Sequence, residues 1–211
     1  SSIVLPTGIF VTIVAGGRSV SKIVRIKSRG LDIDRIDRIN TLSRQSKTLS
    51  LDEFLAQLRA IARLRPYSLS RRIAAGALGA GGFTLFFGGR FSDLCCALVI
   101  GGLIEGCSSV LEQRQFPSFF AISLCSALTA LLAIGLNQIG LAPSLDALII
   151  GCLMLLVPGL AITNAIRDSL SGDLISGMTR GVEAVLIAIA VALGPGLVMS
   201  LWMMLGGNPL W

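Results

Sequence analysis

The sequence predicts a membrane all-α protein: five transmembrane helices preceded by a small α/β cytoplasmic domain. Three observations carry that expectation. The 211 residues are 53% hydrophobic and 14% charged, with a mean hydropathy of +0.80, whereas a soluble domain carries about 25% charged residues. The charge is also segregated. Residues 1–72 hold 14 Lys/Arg against 5 Asp/Glu, and residues 73–211 hold four arginines against seven acids. The third observation is a series of apolar runs, each near the ~20 residues that cross a bilayer.

The basic front, residues 1–71, is expected to form the α/β domain. Residues 3–14, IVLPTGIFVTIV, are rich in β-branched residues, and Pro6 marks an edge. Ala15-Gly16-Gly17 reads as a turn. Val24 and Ile26 then alternate with Arg25 and Lys27, the period of a half-exposed strand. Together these predict a hairpin. Next, Ile36, Ile39 and Leu42 share one side of a short helix, with Asp34 and Arg38 as an i,i+4 pair. Ser50-Leu51-Asp52-Glu53 has the form of a capping box and opens a second helix with Leu51, Leu55, Leu58 and Ile61 on its apolar stripe. The chain starts at Ser1, without Met and already inside a strand-like run, so further residues are expected upstream.

Residues 72–211 are expected to form the membrane domain, with spans at about 73–89, 92–111, 117–136, 145–164 and 181–205. With the basic front on the cytoplasmic side, that side collects its 14 cations plus Arg114, Arg167 and Arg180, and the other side holds Arg90. Such a bias fixes orientation. Trp202 and Trp211 then suit the outer interface. In the first span, Gly76, Gly79, Gly81 and Gly82 are expected to let helices approach closely.

Several function classes are set aside. The basic front is read as a topology signal and a contact for membrane lipid, with no nucleic acid as partner. The five cysteines lie in apolar segments without metal-ligand spacing, and there is no histidine, so no metal or other cofactor is predicted. No nucleophile–base set or phosphate loop is present, and an enzyme is not predicted.

The informative stretch is LLVPGLAITNAIRDSLSGD, Leu155 to Asp173. Pro158 removes a backbone donor and clashes with the preceding turn. Broken backbone at membrane depth is tolerated where it is buried in protein or lines a watery cavity. In transporters such interrupted helices offer free N–H and C=O groups to substrate, and the N–H end suits a carboxylate. The alternatives are a plain proline kink and, for Asn164, Arg167, Asp168 and Asp173, a solvated cytoplasmic loop. Asn164 and Asp168, at i,i+4, share a face beyond the break. The candidate substrate-binding or gating residues are therefore Pro158, Gly159, Asn164 and Asp168. Glu105, inside the second span, and Asp168 are candidates for proton coupling, because an intramembrane carboxylate faces a cavity or a partner. Arg180 and Glu183 are expected to pair at a helix end. Asp93 and Asp146 are expected to be structural acids at helix N-termini.

These residues resemble a known family. Leu156-Val157-Pro158-Gly159, then Thr163-Asn164-Ala165 and Gly172-Asp173, resemble the threonine/serine exporters, and in particular their YjjP-like amino-terminal half. Phe87-Gly88-Gly89 with Asp93, and Arg29-Gly30-Leu31 at a helix start, support the likeness. The resemblance implies export of small carboxylate metabolites, of threonine/serine or succinate type, across the bacterial inner membrane. It implies a cytoplasmic amino-terminal domain and a YjjB-like integral membrane subunit as partner in an oligomer. Five spans per half suit an inverted repeat, and the predicted mechanism is alternating access. The alternative is a membrane-anchored regulatory or interaction subunit without its own transport site. The family's upstream helix, with Gly-Ala-Ser/Thr and Val-Glu, has no counterpart here, so no role of that helix is transferred.

Overall fold

The structure, a computed structural model, describes residues 2–5, 8–26, 32–64 and 67–206. Pro6, Lys27, the Arg29-Gly30-Leu31 helix start and Trp211 lie outside the described residues. The chain divides into two compact units, Ser1–Tyr67 and Ser68–Trp211.

In the first unit, strands β1 (Ser2–Leu5), β2 (Gly8–Ala15) and β3 (Arg18–Arg25) form an antiparallel sheet in that order. The expected single strand over 3–14 is two, because Leu5 pairs with Gly8 and the chain reverses between them. The β2–β3 turn is as short as a hairpin allows. Ala15 pairs with Arg18, and Gly16 and Gly17 take φ of +55° and +75°, the left-handed pair that a two-residue turn matched to strand twist demands.

Two helices follow. In α1 (Ile33–Arg44), Asp32 caps the N-terminus by accepting from Arg35 N at 3.0 Å, and Arg38 Nε donates to Asp34 at 3.0 Å. In α2 (Leu51–Ala62), the Ser50–Glu53 capping box forms as its sequence predicts. Their packing is thin. Leu42 is buried, but Ile36, Ile39, Leu51 and Leu55 remain exposed.

The second unit is helical. It comprises α3 (Leu69–Phe86), α4 (Phe91–Gln113), α5 (Ser118–Gln138), α6 (Leu145–Leu153), α7 (Gly159–Leu170) and α8 (Leu174–Met204). Three of these are long and apolar enough to cross a membrane: α4, α5 and α8. Among the described residues the chain is thus mostly helical, with three candidate spans and a small N-terminal sheet. A five-span count requires α3 and the α6–α7 pair to cross as well. The expected fourth span, 145–164, is interrupted at Pro158, where its sequence carries the breaker. Nine residues of α6 rise only about 14 Å, short of a hydrocarbon core of about 30 Å.

Close approach of backbones sets the arrangement of α3, α4 and α6. A Cβ on Gly101 of α4 would stand 2.5 Å from Ala80 Cβ and 2.8 Å from the Gly76 carbonyl of α3. One on Gly81 would meet Leu94 at 2.6 Å, whereas Gly82 faces open space. On α6, a Cβ at Gly151 would meet the Thr84 hydroxyl oxygen at 2.3 Å and the Thr84 backbone nitrogen at 2.5 Å. The core between them holds Ala80, Ala97, Ile100, Leu148 and Cys152, with Cys125 and Ile134 from α5. The buried cysteines fill space as small hydrophobes.

Two ionic features tie these helices at their ends. Asp93, fully buried in the first turn of α4, accepts from the backbone N–H of Arg90 at 2.7 Å and of Ser144 at 3.1 Å. One carboxylate thereby satisfies amides at the starts of both α4 and α6, groups that helix geometry leaves without partners. At the other end, Arg72 of α3 donates to Glu105 at 2.9 Å and to Glu112 at 3.2 Å.

Candidate functional site

The site candidates fall on the segment that joins α6 to α8. Helix α6 packs against α3, α4 and α5, whereas the principal neighbour of α7 is α8. Between them, Met154 to Val157 run through tight turns, with Leu156 N bonded to Leu153 O at 2.9 Å. Pro158 is the N-cap of α7 with φ −81° and ψ +52°, and Gly159 is its first residue. The Gly159 N–H donates to Val157 O at 2.9 Å, and Ile162 N starts the new helix by bonding Pro158 O at 3.0 Å. The break is therefore complete: α7 opens with a new N-terminus, in place of a bend in a continuous helix.

Beyond the break, α7 is amphipathic and continues to Leu170, past the expected end at residue 164. It returns along α8 through a turn at Gly172, whose φ is +90°. The two helices touch backbone to backbone. A Cβ at Gly177 of α8 would lie 2.2 Å from Ser169 Oγ and 3.0 Å from the Ala165 carbonyl. Helix α8 starts at Leu174, a full two turns before the expected 181, because this N-terminal part pairs with α7. Its 31 residues span about 46 Å. Pro195 lies inside it, beside Gly194, where a Cβ would come 2.1 Å from Ser126 Oγ of α5. That second proline-glycine site, 194–196, carries the GPG signal of a breaker, yet α8 runs through it.

Pro158, Gly159, Asn164 and Asp168 share one helix, and Asn164 and Asp168 are both half-buried. The fifth candidate, Glu105, is held elsewhere, in the ion pair with Arg72. Arg180 of α8 has its Nε 3.0 Å from Asp168 Oδ2 of α7, a contact across helices beyond the helix-end pairing with Glu183 that the sequence suggests. That Nε is shielded from solvent, yet its N–H makes no hydrogen bond. The contact is thus a charge pairing whose donor is unspent. A cleft of about 330 Å³ between the same two helices is lined by Ala165, Ser169, Gly177 and Gly181, with Ile166 and Met178 as apolar walls. Asp146 lies in the first turn of α6, as a structural acid would.

The model of the threonine/serine exporter family, ThrE, matches residues 1–202. This chain belongs to that family. No curated protein and no solved structure matches it. Membership makes the chain a membrane exporter of the threonine/serine type, a transporter and not an enzyme, acting on a small-molecule substrate in a lipid environment. The match covers the sheet and α1–α7 entirely and most of α8, so the interrupted segment lies inside the family region.

Proposed function

We propose that this chain is the YjjP-like half of a split inner-membrane exporter for small carboxylate metabolites, of threonine/serine or succinate type. It works with a YjjB-like integral membrane subunit by alternating access. The basic front is cytoplasmic, and five spans, with α3 as the first and α6–α7 as the broken fourth, place the two termini on opposite sides. An odd count of this kind suits a partner of inverted topology.

One observation carries the reading: the complete break between the packed α6 and the amphipathic α7. Broken backbone at membrane depth is tolerated only where it is buried in protein or lines a water-filled cavity, and the second of these suits an exporter. The first turn of α7 beyond Gly159 offers N–H groups and a positive dipole end to a substrate carboxylate. Asn164 presents a carboxamide one turn further along. Glu105 and Asp168 are the carboxylates proposed to carry a proton. Each sits beside an arginine, so protonation would break an ion pair and loosen two helices at once.

The test uses Asn164→Ala and Asp168→Ala in full chains shown to be inserted, expressed with and without the YjjB-like partner. Efflux of labelled threonine and succinate is followed. The site assignment requires both variants to lose efflux, and unchanged efflux removes it. A chain that changes the partner's transport while tolerating every substitution here is a regulatory subunit instead.

A further inference from the structure

We propose that one face of the N-terminal sheet docks on an anionic lipid surface. The inference goes beyond the exporter reading and uses only its placement of the basic front on the cytoplasmic side. Residues paired across an antiparallel sheet share a face, and neighbours along a strand alternate between faces. The β2–β3 register pairs Ile9 with Val24, Val11 with Lys22, Ile13 with Val20 and Ala15 with Arg18. These eight positions therefore form one face.

That face is apolar, cationic and uncovered. Every residue of β3 is exposed. Ile13, Val20 and Val24 are 63%, 67% and 45% exposed, and the polar side chains set among them, Arg18 and Lys22, are both cations. An antiparallel sheet that shows one side to water turns its polar residues outward there, and this face does not. The opposite face is of another kind. Phe10, Val14 and Ile23 are exposed on it, but its middle is crossed by the Thr12 and Ser21 hydroxyls, 3.0 Å apart, with Ser19 next to them.

Charge decides the occupant. From Ser1 to Leu31 the sequence holds five cations, Arg18, Lys22, Arg25, Lys27 and Arg29, and no acid before Asp32. A lysine on an edge strand also discourages strand pairing, but that role requires neither apolar neighbours nor a lack of acids. A nucleic acid would engage the cations and leave Ile13, Val20 and Val24 in water. An anionic leaflet takes both: apolar side chains sink to the level of the headgroups, and Arg and Lys heads stay beside the lipid phosphates. A chain anchored in the bilayer also meets that surface at a high effective concentration.

The experiment places a photo-crosslinking amino acid at position 20, on the docking face, or at position 19, on the opposite one. The full chain is held in nanodiscs of phosphatidylcholine, alone or mixed equally with phosphatidylglycerol, and adducts are identified by mass. Lipid adducts are expected at position 20, more of them in the anionic discs, and not at position 19. Arg18→Gln and Lys22→Gln are each expected to lower the docked-to-free ratio about fivefold, whereas Arg18→Lys keeps it. Salt at about 1 M, where the screening length is about 3 Å, is expected to release the wild type, an effect that misfolding does not imitate. Equal adducts at 19 and 20, or no response to phosphatidylglycerol, overturns the proposal. So does a protein adduct at position 20 in intact cells without a lipid one, which gives the face to an acidic partner. No substrate enters the measurement, so its failure leaves the exporter reading untouched.

Discussion

Thr84 of α3 and Gly151 of α6 meet so closely that a single added methyl at 151 would fall 2.3 Å from the Thr84 hydroxyl oxygen and 2.6 Å from its Cα. The obstacle is backbone, which cannot swing aside as a long side chain can. Gly151→Ala is therefore expected to lower stability by about 1–3 kcal/mol, the usual cost of overpacking, read as a fall in unfolding temperature in detergent. Gly82→Ala and Gly135→Ala, whose Cβ atoms would meet nothing within 4 Å, serve as controls. Both are expected to unfold near the wild-type temperature.

Asp93 predicts a different kind of loss. Its two oxygens accept from Arg90 N and Ser144 N in full burial. Asn at this position has one acceptor oxygen and presents its NH2 to the other amide. One helix start is then left unmet, at a cost of about 1–3 kcal/mol. Thermal unfolding of Asp93→Asn measures it, and Asp93→Ala is expected to unfold lower still.

The α7–α8 contact can be opened from one side. Gly177→Val pushes a branched side chain into Ser169 and the Ala165 carbonyl. In an Ala165→Cys background, where position 165 is 8% exposed, a maleimide is expected to label the Gly177→Val chain much faster than its Gly177 parent. Equal labelling rates would show that α8 yields without releasing α7.

The first unit carries a pH signature. The side-chain hydrogen bond from Ser50, and then the Ser50 backbone N–H, hold the Glu53 carboxyl below its ordinary 4.5. A depressed carboxylate contributes stability that is present above pH 4.5 and is lost as pH falls through its lowered folded value. Ser50→Ala removes the hydroxyl, so the variant should trail the wild type near neutrality by more than in acid, where the loss of the cap to Glu53 N remains. Helix content followed by circular dichroism from pH 7 to pH 3 reports the narrowing gap.

What the sequence revealed divides by distance along the chain. The Ser50–Glu53 box, the Asp34–Arg38 pair, the Gly16-Gly17 turn and the Pro158 break are each written within a few residues, and each was legible. The partners of Asp93, Glu105 and Asp168 lie 51, 33 and 12 residues away, and no local pattern points to them. Helices apolar all round carry no preferred face, so periodicity cannot say which neighbour they touch. The glycines of the first span were expected to pack helices, and Gly76, Gly79 and Gly81 do so. Gly151, Gly177 and Gly194 make equally close contacts and drew no attention, because single glycines lack a repeat. The end of the fourth span follows another rule. Hydropathy places it at 164, whereas α7 stays helical to Leu170, well past the point where its polarity rises.

The bond from Arg72 to Glu105 also bears on how the chain enters the bilayer during synthesis. Helix α4 emerging alone would carry a bare carboxylate toward hydrocarbon, a cost of a few kcal/mol on insertion scales. Its counter-ion has already been made, 33 residues earlier on α3. On the five-span reading proposed above, the α3–α4 hairpin carries this acid and its counter-ion together, which gives the two helices reason to leave the insertion machinery as one.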